Sequence, residues 1–190
     1  QEKLEKNFSF RGSDKVENNY HLIYSCIFTE LDFAYKILEI GLGTNDPTII
    51  SSMGIYGKPG ASIKAFRDTF INSNIYGADV DKKILFNEDR IKTFFIDQTN
   101  FSTFKNISDE VNEKFDLIID DGLHYQLSNL NTLIFALENL SKNGYLVVED
   151  IGVWTIDTWK IVNAILPENF SSTIVRMTDT NLIFVVKKLN

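Results

Sequence analysis

The chain has 190 residues, with 19 Lys and Arg against 26 Asp and Glu and a formal net charge of −7. That acidic balance argues against a dedicated nucleic-acid binder, which carries a basic surplus. The single cysteine, Cys26, excludes an intrachain disulfide framework and a multi-cysteine zinc site. No apolar run approaches the roughly 18 residues of a membrane span. The first residues, Gln1 to Lys6, are charged rather than apolar, so no leader is expected and the simplest address is the cytoplasm. A length of this size fits one domain, at roughly 100–200 residues each, here divided into an N-terminal helical segment (1–35) and a core (36–190).

In chain order, Asn19 to Tyr35 places Tyr20, Ile23, Tyr24, Ile27 and Phe28 at helical spacing. Lys36 to Gly41 reads as a buried strand that stops at glycine. Ser62 to Phe70 predicts a helix with Ile63, Phe66 and Phe70 on one face. Asn74–Asp79, Lys92–Asp97, Phe115–Asp121 and Gly144–Asp150 read as four further strands, each ending in an acid. A helix is predicted over Gln126–Leu140 and another near Asp157–Leu166. Thr173–Met177 and Leu182–Lys187 flank the turn-like run 178–181 and predict a terminal hairpin.

Strand alternating with helix implies parallel strands, right-handed crossovers and helices on both faces. The expected fold is therefore α/β, a Rossmann-like doubly wound sheet of seven strands. It is mostly parallel, with an antiparallel C-terminal hairpin. In such a sheet ligands bind beyond the carboxyl ends of the strands. The polar residues there are Glu39, Gly41, Asp79, Asp97, Asp120, Asp121, Glu149 and Asp150.

Gly41-Leu-Gly43 permits close backbone approach to a ligand. The dinucleotide fingerprint needs a third Gly or Ala where this chain has Asp46, whose carboxylate would face the pyrophosphate, so a nicotinamide cofactor is disfavoured. The arrangement Glu39-Ile-Gly-Leu-Gly43, Asp79, then Asp97-Gln98 resembles the class I S-adenosylmethionine-dependent methyltransferases. The resemblance implies that Glu39, Gly41, Gly43, Asp79, Asp97 and Gln98 surround S-adenosylmethionine. Asp79 would accept from the ribose hydroxyls and Asp97 from the adenine amino group.

Asp120-Asp-Gly-Leu-His124 and Glu149-Asp150 end neighbouring strands, and carboxylates converging there suit a divalent cation with oxygen ligands, Mg²⁺ or Mn²⁺. This pair of motifs is similar to the metal-dependent O-methyltransferases of macrolide sugars and the cephalosporin-hydroxylase-like proteins. Gly12-Ser-Asp-Lys15 with Tyr20 and Tyr24 resembles an element that precedes their first strand.

That resemblance implies a metal held by Asp121, Glu149 and Asp150, with His124 as general base. It adds Lys15 and Tyr20 to the cofactor-facing residues. Asp120 is placed with them as a support from behind, because successive strand side chains alternate faces. Glu149 lengthens an arm that is Asp in some members, which puts its direct ligation in doubt. The implied activity is methyl transfer to an oxygen of a small polar acceptor, a sugar or sugar-derived metabolite of surface-polysaccharide or natural-product tailoring. No nucleic-acid or membrane partner is expected, and homo-oligomerisation stays open. The rival readings are a non-catalytic cofactor-binding or scaffolding domain, and methylation of a phosphate-type or nitrogen acceptor. Met53–Ala61 lies in an unusually long strand-to-helix connection and is expected to cover the cofactor or acceptor.

Overall fold

The structure, a computed structural model, describes residues 1–190. Helices α1 (Glu2–Arg11) and α2 (Tyr20–Ile27) precede strand β1 (Lys36–Ile40). Then come α3 (Ala61–Thr69), β2 (Asn74–Asp79), the two-residue β3 (Asn87–Glu88), β4 (Ile91–Phe95), α4 (Lys105–Val111) and β5 (Phe115–Asp120). The chain continues through α5 (Gln126–Asn139), β6 (Leu140–Gly152), α6 (Ile156–Ile165), β7 (Phe170–Arg176) and β8 (Asn181–Lys188). The strands form one sheet in the order β3-β4-β2-β1-β5-β6-β8-β7. β4, β2, β1, β5 and β6 are parallel, and β8 and β7 close one edge as an antiparallel hairpin.

The α/β reading and the mixed sheet stand; the strand count is eight rather than seven. The extra strand is β3, which adds two antiparallel residue pairs to the edge of β4 and is too short to show period-two patterning. Helix α1 lies in the N-terminal segment expected to be helical, though its bounds were not foreseen. It buries only Leu4 and Phe8, a single pair four residues apart on an otherwise polar helix. The predicted helix over Asn19–Tyr35 stops at Ile27, and the strand at Gly144–Asp150 extends from Leu140 to Gly152.

Alternation along the strands divides the core in two. Leu38, Ile40, Ile118, Leu146 and Val148 pack on one face with Phe135, Ala136 and Trp159 of α5 and α6. Ile37, Leu117, Ile119 and Val147 pack on the other with Phe8, Tyr20, Tyr24 and Phe66 of α1, α2 and α3. The same parity carries to the strand tips. Glu39, Asp121 and Glu149 follow Ile37, Ile119 and Val147, so they point to the α1–α3 face. Asp120 follows Ile118 to the opposite face. Trp159 packs against Phe184 at a ring-centroid distance of 4.9 Å, so of the two tryptophans it is a core residue.

Candidate active site at the strand tips

Beyond β1 the chain turns at Gly41, whose φ is 94°. A Cβ there would lie 2.0 Å from the carbonyl oxygen of Asp121, so no side chain fits. Asp79 at the tip of β2 fastens this turn. Its Oδ2 accepts from the Leu42 N–H at 2.7 Å and its Oδ1 from the Asp81 N–H at 2.8 Å. Burial raises its pKa, and the backbone donors oppose that rise. Asp81 in turn accepts from Thr44 Oγ1 at 2.6 Å.

A cavity of about 220 Å³ opens over these tips. It is lined by Gly41, Gly43, Asp79, Asp97 and Asp121, with Ile40, Ile96 and Leu123 as apolar walls and Ile49, Ile50 and Ser51 closing over it. The helix after the glycine turn begins only at Ala61, and Asp46 sits in the intervening loop, taking Thr48 donors and Lys83. Its pKa is lowered to about 2, mainly by those hydrogen bonds. The turn therefore does not run into a helix N-terminus as a pyrophosphate site requires.

A second cavity, about 320 Å³, adjoins the first and shares Gly41, Gly43, Ser51 and Asp121 with it. Its lining is polar: Ser13, Asp14, Ser52, Lys58, Ser62, His124 and Asp150. Asp121, His124 and Asp150 offer ligand atoms that all lie within 4.8 Å of one another. Each carboxylate has one oxygen held and one oxygen without a partner. Lys15 Nζ donates to Asp121 Oδ2 at 2.9 Å. Tyr20 OH and Asn181 Nδ2 donate to Asp150 Oδ1 at 2.6 and 2.9 Å. Such outer donors orient carboxylates around a cation. Asp150 and His124 both have positive φ, 51° and 58°, conformations that cost non-glycine residues energy and collect at functional sites. At Asp150 the cause is a bulge: from Val148 to Ile151, β6 advances three residues while β8 advances two, from Phe184 to Leu182. The bulge breaks strand alternation and lets Asp150 turn toward the opening. The oxygen-rich donor set and the two partnerless oxygens fit a hard divalent cation.

Several expected residues are placed differently. Glu149 was expected among the metal ligands, but it is 1% exposed and lies outside the convergent group. Its Oε2 accepts from Lys15 at 2.6 Å and its Oε1 from the Tyr24 hydroxyl. His124, expected as a base, stands within the group of three. Glu39 is wholly buried, bonded by Ser62 and paired with Lys15, so it backs the site without reaching a ligand. Lys15 and Tyr20 spend their polar atoms on the acids rather than on a cofactor.

Gln98 gives its Nε2 to Asp120 at 2.8 Å and Thr132 at 3.0 Å and accepts from the Leu123 N–H at 2.8 Å, so it props the cavity floor. Asp120, also wholly buried, takes Gln98 and Asn129 on its two oxygens and ties α5 to the loop that carries Asp121 and His124. Gly41, Gly43, Asp79, Asp97 and Gln98 do face the first cavity.

Burial disfavours the charge on Lys15, but the carboxylates of Asp121, Glu149 and Glu39 outweigh it and hold its pKa well above the ordinary value. Burial pushes Glu149 up, against the pull of Lys15. Tyr24 is raised by burial and by Glu149, and Tyr20 by burial and its bond to Asp150, so both phenols stay protonated donors. Tyr24 and Asn181 were missed as parts of the site. Tyr20 and Tyr24 share a helix face at spacing four, a readable signal; Asn181 comes from the hairpin and carries none.

No protein-family model matches the chain. It is 32% identical over 126 residues to the Streptomyces olivaceus 8-demethyl-8-(2-methoxy-alpha-L-rhamnosyl)-tetracenomycin-C 3'-O-methyltransferase, covering 63% of this chain and 28% of that protein. It is 28% identical over 142 residues to the 2'-O-methyltransferase for 8-demethyl-8-alpha-L-rhamnosyl tetracenomycin-C from the same organism, covering 74% and 35%. The chain thus spans only about a third of the length of these curated relatives. Among solved structures, the MycE methyltransferase of the mycinamycin pathway, in complex with Mg and SAH, superposes with a TM-score of 0.76 at 20% identity, covering 98% of this chain and 55% of that one. An O-methyltransferase from Bacillus cereus in complex with SAH gives 0.61 at 14% identity, covering 99% and 91%. The chain has the class I S-adenosylmethionine-dependent methyltransferase fold and is related in sequence to the O-methyltransferases of sugar-bearing tetracenomycins and mycinamicins.

Proposed function

We propose that this chain is an S-adenosylmethionine-dependent O-methyltransferase that uses a divalent cation, Mg²⁺ or Mn²⁺, and acts on a hydroxyl of a sugar-bearing small molecule. The observation that carries this reading is the meeting of two cavities at Asp121, with His124 and Asp150 beside it. The first cavity has the apolar walls and strand-tip acids that suit an adenosine; the second has the hydroxyl-rich lining that suits a polyol. Curated relatives act on rhamnosyl and olivosyl compounds, which favours tailoring of such glycosides; a surface polysaccharide has no counterpart among them.

Asp121 and Asp150 would hold the cation through their partnerless oxygens. When bound, the cation would lower the pKa of an acceptor hydroxyl and S-adenosylmethionine would provide the methyl group. His124 is exposed in the acceptor cavity, and its imidazole takes the hydroxyl proton. Gly41 and Gly43 let the cofactor approach the backbone, and Asp79 keeps a lone pair on each oxygen for ribose hydroxyls. The test is transfer of labelled methyl from S-adenosylmethionine to rhamnosyl and olivosyl acceptors, with and without chelator. Labelled product that disappears with chelator and returns with Mg²⁺ or Mn²⁺ is the expected result.

Two further outcomes are expected. Asp79→Asn weakens binding of S-adenosylhomocysteine by ~1–3 kcal/mol in calorimetry, through loss of a charged acceptor. Asp79→Ala loses more, because the Leu42 and Asp81 N–H groups are then left unpaired. Second, the loop over residues 49–58 gains amide-exchange protection on cofactor binding, since Ile49 to Ser51 line one cavity and Ser51 to Met53 and Lys58 line the other. Equal exchange with and without S-adenosylhomocysteine contradicts the covering role.

A further inference from the structure

The open group at Asp121, His124 and Asp150 leaves the neighbouring ammonium of Lys15 without a chemical role. Lys15 is 1% exposed, and its Nζ lies 2.6 Å from Glu149 Oε2, 2.9 Å from Asp121 Oδ2 and 3.0 Å from Glu39 Oε1. The three oxygens come from the tips of three adjacent strands, β1, β5 and β6, brought to one face by their shared parity. Three carboxylates around one buried point charge make a cation's donor set, with an ammonium in the ion's place. The surplus of negative charge is costly because Glu39 and Glu149 are buried.

Glu39 Oε1 is an independent mark. It is wholly buried and aimed at the ammonium, yet the contact is too far off line to be a hydrogen bond, and no other donor reaches it. An ion, which imposes no such angular demand, would satisfy it. Asp121 belongs to both groups: its Oδ2 accepts from Lys15, and its carboxylate offers a ligand atom within 4.8 Å of those of His124 and Asp150.

We propose that Lys15 is a positioning residue whose ammonium fills a second cation position, linked by Asp121 to the open one, so that the site takes one divalent ion and not two. The proposal rests on reading the open group as a divalent-ion site. The ammonium also fixes the rotamer of Asp121 that presents its partnerless oxygen. Two-metal sites hold their ions about 3.5–4 Å apart across shared ligands, close enough for their spins to couple.

Titration of the whole chain with Mn²⁺, followed by electron paramagnetic resonance, tests this. Wild type is expected to bind one Mn²⁺ with the six-line spectrum of an isolated ion. Lys15→Ala is expected to bind two, with a spectrum broadened by coupling, and Lys15→Arg to bind one. A Lys15→Ala chain that binds one isolated ion overturns the proposal, as does a Lys15→Arg chain that binds two. A lysine with only a structural role would change stability and leave the stoichiometry alone. If Lys15→Ala does not fold, Lys15→Ala/Glu39→Gln removes one of the buried charges left without the ammonium and keeps Asp121 and Glu149; two ions are again expected, and one overturns the proposal. A wild-type chain that binds no Mn²⁺ rejects the open group instead. In that event one ion in Lys15→Ala upholds the role of the ammonium, and none rejects it too.

Discussion

Asp121→Ala and Asp150→Ala each abolish metal-dependent methyl transfer while S-adenosylhomocysteine still binds. The separation follows from the layout. Gly41, Gly43, Asp79 and Asp97 line the first cavity from β1, β2 and the end of β4, whereas Asp121, from the tip of β5, touches it only where the two cavities meet, and Asp150, from β6, lies outside it. Each substitution removes one of two partnerless carboxylate oxygens and leaves a donor behind: Lys15 loses one of three carboxylates, or Tyr20 and Asn181 lose their shared acceptor. Asp150→Ala also removes a side chain from a positive-φ position without relieving the backbone, since alanine is no better suited to it. Calorimetry with S-adenosylhomocysteine and with Mn²⁺ on each variant reads the two affinities separately. Loss of both affinities together would mean that the acids support the fold of the whole strand-tip region rather than an ion.

His124→Ala lowers turnover by roughly 10²–10⁴-fold, the usual size of a general-base contribution, and keeps both Mn²⁺ and cofactor affinity. The imidazole lies in the same group as Asp121 and Asp150, so a role as third ligand is the direct competitor. Exposure favours the base. Asp121 and Asp150 are each held from behind by a donor, as ligands are, whereas His124 is exposed and makes no hydrogen bond with the rest of the chain. Retained Mn²⁺ affinity with lost turnover identifies the base; lost Mn²⁺ affinity makes His124 the third ligand. His124→Asn, which keeps a polar side chain at positive φ, separates the imidazole's chemistry from any backbone effect.

The sheet was legible because its strands are short apolar runs ending in glycine or acid, and the strand tips told where a ligand belongs. β3 was not legible, having two residues and no pattern, and the bounds of α1 within the expected helical segment were not, because it has one apolar pair on a polar helix. At the site, parity decided what could be read. Alternation correctly separated Asp120 from Asp121. It could not foresee the bulge that turns Asp150 to the opening while Glu149 stays with Lys15, because the bulge arises from pairing with β8, more than thirty residues away. For the same reason Lys15 and Tyr20 were legible as parts of the site but not as donors to its acids. Their partners come from distant strands, and only packing of α2 on the sheet brings them together.

On the proposed reading, a cofactor cavity and a cation site meet at Asp121. The most direct test is titration of the chain with Mn²⁺ in the presence and absence of S-adenosylhomocysteine, read by calorimetry and by electron paramagnetic resonance of the bound ion. Saturable binding of both is expected, with one Mn²⁺ per wild-type chain, and loss of the ion alone in Asp121→Ala. Absence of S-adenosylhomocysteine binding, or an Mn²⁺ signal that survives unchanged in Asp121→Ala, would contradict that reading.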